Sequence, residues 1–304
     1  MVAPARAQRP NILFGYDGTK ENESALRWAV EESRLRELDL VMCHCWRWPY
    51  PPGHVDARVE AIVQRAGENL LCEGARRARR LGAGGTVSTL LRREPVTETL
   101  VHESGAAELI VVGSHERDRL PVGSTAVQLP ARTRRPVVAV RDAGGRYGLI
   151  VVGVDGSAGA DAALGFGIEE AALRGFDLRV VYGAWEPGAV PDFELPLFTD
   201  ENKLRETRAA MLDMAVQPWK QRFPEVRVQV SLLLERPRDA LLTAARDADL
   251  LVVGDRGTGS LDPLLLGATS STMLHHAPCA VAIVPRSRQA APESPTRAVS
   301  WSRP

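Results

Sequence analysis

The segment LIVVGVDGSAGADAALGFGIEEAALRGFDLRVVYGAW, from Leu149 to Trp185, repeats NILFGYDGTKENESALRWAVEESRLRELDLVMCHCW, from Asn11 to Trp46. Each copy opens on a short, continuously apolar run, as a strand buried on both faces requires. The run breaks at Asp155-Gly156 or Asp17-Gly18, where glycine permits a turn, and Ser157 is placed to cap a following helix. Leu164, Ile168 and Ala171 then recur at four- and three-residue spacing, one face of that helix. A second apolar run, LRVVYGAW, completes a strand–helix–strand unit.

The repetition continues down the chain. AELIVVGS (Ala107 to Ser114) matches ADLLVVGD (Ala248 to Asp255), and PVVAV from Pro136 matches AVAIV from Ala280. Between these landmarks the second half reads as a Pro-containing loop, a helix through about Lys220 and the strand VRVQVSLLL. A helix after Pro237, the strand DLLVVG, a glycine-rich loop and a helix from about Thr269 precede AVAIV. Such alternation predicts an α/β fold used twice, each copy a five-stranded parallel sheet with right-handed crossovers and helices on both faces. The expected division is an N-terminal tail 1–10, a first domain 11–141, a linker 142–148, a second domain 149–285 and a polar disordered tail 286–304. PVVAV and AVAIV are apolar edges that invite the halves to pair about a pseudo-twofold axis.

Composition narrows the function classes. A chain of 304 residues suits two ordinary domains better than one large core. Lys+Arg and Asp+Glu both number 38, so no net field gathers nucleic acid or anionic membrane. No apolar run approaches the roughly 20 residues of a membrane span, and MVAPARAQRP lacks the apolar centre of a secretory signal. Four cysteines do not suggest a disulfide scaffold, and the expected compartment is the cytoplasm.

In a doubly wound parallel sheet, ligands lie beyond the carboxyl ends of the strands. That points to Val154-Asp155-Gly156 after the first strand and to Val253-Gly254 after the fourth. An acidic side chain there accepts hydrogen bonds from a base or ribose, and glycines admit an anion close to the backbone. A helix starting just after Gly267 adds its dipole and free N–H groups.

At these residues the stretch VVGDRGTGSLDPLLLGATSSTMLHHAPCAVAIV resembles the nucleotide-binding signature of the universal stress protein family, G-x2-G-x9-G-[ST]. Gly254, Gly257 and Gly267 have its spacing, and with IVVGVDGS and APCAVAIV the resemblance covers nearly the whole second half. It implies two tandem doubly wound, Rossmann-like domains of the adenine-nucleotide alpha-hydrolase type, with ATP, and Mg beside it, as ligand. It further implies that Gly153, Val154 and Asp155 meet the adenosine part and that Ala184 meets the base. Val253, Gly254, Asp255, Arg256 and Gly257 would run beneath ribose and phosphates, while Gly267, Ala268, Thr269 and Ser270 cradle the phosphate tail.

The match has one departure in the second half and several in the first. Ala268 stands where the family has Ser or Thr, which removes a hydroxyl donor worth about 1.5–3 kcal/mol to a charged group, with Thr269 and Ser270 as substitutes. The first half keeps Asp17, Gly113 and the run Gly123-Ser124-Thr125, and Cys45 matches Ala184. Its loop carries Glu116 where the second glycine belongs and has six residues between Glu116 and Gly123. Arg117 and Arg119 offer compensating charge, yet this half is expected to bind weakly and to support assembly.

Other constellations read as structure. Cys43 and Cys45 share one face of a strand while His44 takes the other, so the three do not converge on a metal. His275 and His276 are helix neighbours that do not face one another. No phosphate-loop lysine, Ser-His-Asp order or metal-ligand spacing is present, so turnover is at most slow ATP hydrolysis. The resemblance thus implies an ATP-binding regulatory protein of the stress response, a homodimer with a regulatory protein partner. The competing reading is a scaffold of the same fold that binds no nucleotide. An adenylyl-transfer enzyme would need a loop richer in Gly and Ser than DGSAGAD.

Overall fold

The computed structural model describes residues 9–48, 56–93, 95–114, 124–141, 146–183, 201–233, 235–257 and 265–286. In the first repeat the elements are β1 (Asn11–Gly15), α1 (Glu23–Leu35), β2 (Asp39–Cys45), α2 (Ala57–Arg80), β3 (Val87–Arg92), α3 (Val96–Glu103), β4 (Ala107–Gly113), α4 (Thr125–Arg132) and β5 (Val137–Val140). The second repeats the order with β6 (Leu149–Gly153), α5 (Ala158–Arg174), β7 (Asp177–Gly183), α6 (Glu201–Arg222) and β8 (Val228–Leu233). It closes with α7 (Pro237–Ala244), β9 (Leu250–Gly254), α8 (Ala268–His276) and β10 (Ala280–Val284).

The ten strands form one sheet in the order β3-β2-β1-β4-β5-β10-β9-β6-β7-β8. Every neighbouring pair is parallel except β5 and β10, which run antiparallel with Val281 opposite Ala139, Ala282 opposite Val138 and Ile283 opposite Val137. The order reads the same from both ends when the repeats are exchanged, so a pseudo-twofold axis passes through that junction.

The apolar residues sort by face of this sheet and not by repeat. Alternate residues of each strand point to opposite faces. On one face Phe14, Leu26, Val30, Val138, Ile150, Leu164, Ile168 and Ala282 form a single cluster with α1, α2, α5 and α6. On the other, Leu13, Ile110, Leu129, Ala139, Val151, Leu251, Met273 and Val281 pack with α3, α4, α7 and α8. The length of the chain suggests a core for each domain. The finding differs because the edge strands of the two half-sheets are joined, so no solvent separates their apolar layers. β10 is buried at all five positions and β5 at all four, which only a covered central strand sustains.

Over this junction α1 and α5 bury four charges. Glu32 and Glu170 are fully enclosed, and the side chains of Arg174 and Arg36 are 5% and 13% exposed. Each arginine bonds the glutamate four residues before it and the glutamate of the other repeat: Arg36 meets Glu32 and Glu170, and Arg174 meets Glu170 and Glu32. Arg36 also lies over the Phe166 ring and Arg174 over Trp28, at 5.9 and 5.0 Å from the centroids. Burial and the facing Glu170 carboxylate push the Glu32 carboxyl up to about 8. Burial also opposes charge on Glu170, but Arg174 and Arg36 outweigh it and hold that carboxyl low. The two carboxyls therefore titrate as one unit that keeps a proton at neutral pH.

Removing one arginine leaves two buried carboxyls sharing a single guanidinium and short of hydrogen-bond donors, so Arg174→Ala should lower stability by about 3–5 kcal/mol. The exposed Arg27→Ala should change it by less than about 0.5 kcal/mol. Urea denaturation of both variants checks this, and equal midpoints would show that the quartet contributes nothing. A carboxyl with a raised folded pKa stabilises fully below its unfolded value and loses that contribution as pH rises through the folded one. Stability measured from about pH 5 to pH 8 should therefore fall through this window, and Glu32→Gln should flatten the fall. An unchanged slope in that variant would refute the assignment.

Candidate functional site

Strand β6 ends at Gly153 and the chain turns through Val154, Asp155 and Gly156 into α5. Gly156 has φ +79°, a conformation that glycine adopts without steric cost. Asp155 Oδ1 accepts the Ser157 backbone N–H at 3.0 Å, and Ser157 Oγ caps α5 by accepting from the Ala160 N–H at 3.2 Å. The same turn recurs in the first repeat, where Asp17 Oδ1 accepts the N–H and hydroxyl of Thr19 at 2.9 and 2.8 Å.

The end of β9 comes up against this turn at van der Waals distance. A Cβ on Gly254 would lie 2.7 Å from the Gly159 carbonyl carbon, and one on Gly159 would lie 2.6 Å from the Arg256 carbonyl oxygen. Paired glycines therefore seat the first turn of α5 directly on the backbone that leaves β9. A Cβ on Gly257 would lie 2.3 Å from Asp155 Oδ2, so this glycine lets the Asp155 carboxylate stand beside the loop backbone. Gly159 is a residue that the sequence reading missed. Its signal was a glycine inside the first turn of a helix, where the first repeat has Glu21.

Helix α8 completes the arrangement. Gly267 sits at its N-cap and donates its N–H to the Asp255 carbonyl at 2.9 Å. The first intrahelical bond runs from the Ser271 N–H to the Gly267 carbonyl, and no side chain caps the helix. The backbone N–H groups of Ala268, Thr269 and Ser270 are thus the unbonded first-turn donors, at the positive end of the helix dipole.

Two predicted contributors are engaged elsewhere. The Asp255 carboxylate is buried and accepts the Arg286 N–H at 3.3 Å, with Arg256 at 3.6 Å, so only its backbone faces the loop. Ser270 is buried and donates its hydroxyl to the Gly254 carbonyl at 2.7 Å. Of the hydroxyls expected to replace the one absent at Ala268, Thr269 alone has no protein acceptor among the described residues. Asp161, on the first turn of α5, has its carboxyl held above the usual range by burial and by Asp155. The start of α8 therefore offers backbone donors to an anion, with the Asp155 and Asp161 carboxyls at the neighbouring start of α5.

The first repeat is built alike with fewer contacts. Gly113 ends β4, Ser124 stands at the N-cap of α4 without a cap hydrogen bond, and Thr125 begins that helix. Register corrects one equivalence. Gly15 pairs with Cys43 and Gly153 with Val181, so Cys45 corresponds to Gly183 and not to Ala184. Matching the tryptophans that follow these strands misplaced it, because both strands are seven residues long and the extra residue lies after β7. Ala184, Trp185, Glu116, Arg117, Arg119 and Gly123 lie outside the described residues. His44 Nδ1 is 2.9 Å from the Tyr16 carbonyl oxygen. Among the described residues no three His, Cys, Asp or Glu side chains group to hold a metal, and no helix is long and apolar enough to cross a membrane.

The whole chain can be compared with known proteins. A universal stress protein of Mycolicibacterium smegmatis is 30% identical over 292 residues, which are 90% of this chain and 96% of the relative. One from Mycobacterium tuberculosis is 28% identical over 281 residues, covering 88% and 94% of the two chains. The crystal structure of a universal stress protein from Archaeoglobus fulgidus superposes with a TM-score of 0.67 at 16% identity, covering 91% of this chain and 98% of that one. The family model described as "Universal stress protein family" matches twice, over residues 9–141 and 146–285, and the chain belongs to that family.

Proposed function

We propose that this chain is an adenine-nucleotide-binding regulatory protein of the stress response, with ATP as ligand held chiefly by the second repeat. The observation that carries the reading is the uncapped N-terminus of α8, whose unbonded Ala268, Thr269 and Ser270 N–H groups suit a phosphate. The residues present fit such a group. Asp155 Oδ2 stands beside Gly257, placed as an acceptor for ribose or base. Bound nucleotide would bring a polyphosphate whose charge Mg shares; the chain supplies orientation through Asp155 and Gly257 and charge compensation through α8. In this reading Gly153, Val154, Val253, Gly254 and Arg256 shape the floor through their backbone, and Ala184 completes the base end.

The division into a first domain 11–141 and a second domain 149–285 around the linker 142–148 belongs to the same proposal, with the first repeat, through Asp17, Gly113, Ser124 and Thr125, as the weaker site. Association of two chains is also proposed. It has to use a surface other than the β5 and β10 edges, because these pair with one another inside the chain. The scaffold reading has one observation in its favour: the Ser270 hydroxyl is spent on Gly254 while Ala268 has none to give.

Calorimetric titration with Mg-ATP tests the reading. Wild type should bind near one nucleotide per chain, and Asp155→Ala and Gly267→Glu should each weaken binding by about tenfold or more. A Cβ at position 267 has its nearest described neighbour at 3.4 Å, an ordinary contact, and an unchanged urea midpoint shows that lost binding reads the new charge and not misfolding. Folded wild type that binds no nucleotide would leave the scaffold.

A further inference from the structure

A concavity lies away from the glycine loop. It is a cavity of about 550 Å³ between α1 of the first repeat and the edge of the second half-sheet where β6, β9 and β10 meet the loops preceding them. Its charged lining is five arginines, Arg27, Arg34, Arg141, Arg146 and Arg174, against two carboxylates, Glu31 and Asp249, an excess of three positive charges. Trp28 and Phe176 supply an apolar wall.

The carboxylates do not neutralise this group. Asp249 accepts the backbone N–H groups of Tyr147 and Leu149 at 3.0 and 3.1 Å. Glu31 is shared between Arg146 at 2.8 Å and Arg174 at 3.6 Å, and Arg174 belongs to the buried quartet. Arg141 gives two donors to the carbonyls of Ala277 and Leu274 and has no carboxylate partner among the described residues. Arg27 makes only a 3.5 Å contact to Glu23 at 69% exposure, and Arg34 is exposed with no ion pair among the described residues. Arg27 and Arg34 are seven residues apart on α1, hence on one face and about 10 Å from each other along the axis.

We propose that this cavity is a second ligand site, which takes a small anion carrying two or more phosphoryl groups. Guanidinium forks match phosphoryl oxygens two at a time, and cations converging from α1, the end of β5 and the approach to β6 fit a ligand with several such groups. The volume is that of a small-molecule site. The site is unique to one side of the pseudo-twofold axis. The counterparts of Arg27 and Arg34 on α5 are Gly165 and Ala172, so the second repeat has no equivalent.

Inorganic triphosphate is the probe, titrated calorimetrically into the full chain at low and physiological salt. Wild type should bind saturably, Gly267→Glu should remove only the share held by the glycine loop, and Arg27→Glu with Arg34→Glu in that background should weaken the remaining binding at least about tenfold. Both arginines are exposed, so an unchanged urea midpoint shows the double variant to be folded; Arg27→Gln with Arg34→Gln should weaken binding less, which reads charge. Loss in Gly267→Glu with retention in the double variant would move the anion to the glycine loop and overturn the proposal. So would absent or unsaturable binding by wild type.

Discussion

Everything in this molecule hangs on a short antiparallel contact between β5 and β10, in which Ala139, Val138 and Val137 face Val281, Ala282 and Ile283. A four-residue and a five-residue strand, each the edge of a half-sheet, would otherwise present unpaired N–H and C=O groups and apolar faces. Joining them removes both edges at once. The join also brings α1 beside α5, which creates the enclosure where Glu32, Glu170, Arg36 and Arg174 meet. Buried charges of that kind are weak evidence of stability, since desolvation offsets most of the attraction. Each arginine bonds a glutamate of both helices, so the quartet ties α1 to α5 at one register.

The fold was largely legible in the sequence because its signals were local and doubled. Continuous apolar runs such as LIVVG and AVAIV indicated strands covered on both faces, Ser157 was placed as a cap, and the repeat gave each reading twice. The glycine spacing located the turn at Gly254 and Gly257 for the same reason. Of the contacts between elements, the pairing of the PVVAV and AVAIV edges was anticipated, while those made through side chains and close backbone approach were not. Nothing in GSAGAD announces that Gly159 packs on Gly254, and nothing in EESRLR announces that Glu32 lies 0% exposed against the other repeat. The hydroxyl of Ser270 was read as a donor to a ligand, but whether a buried hydroxyl turns inward is decided by the nearest acceptor, here the Gly254 carbonyl. Cys45 was displaced by one residue because a tryptophan match outweighed strand register, which is set by pairing and not by similarity.

The two ligand-binding proposals rest on different physics. The glycine loop offers oriented backbone dipoles, which act over one turn of helix and demand an anion at one place. The arginine-lined cavity offers guanidinium groups, of which Arg27 and Arg34 are exposed on long side chains and lose strength with added salt. The first is written into main-chain geometry and survives most substitutions except those that add bulk or charge. The second depends wholly on side-chain identity.

That dependence draws out what a covalent link between the repeats permits. In an assembly of two identical chains, each substitution appears on both sides of the axis, and a residue that is useful on one side and harmful on the other must compromise. With both halves in one polypeptide, Glu21 and Gly159, Arg27 and Gly165, or Arg34 and Ala172 occupy matching places and are free to diverge. The junction between β5 and β10 keeps the symmetry of the frame, while the sequence upon it has become two independent texts.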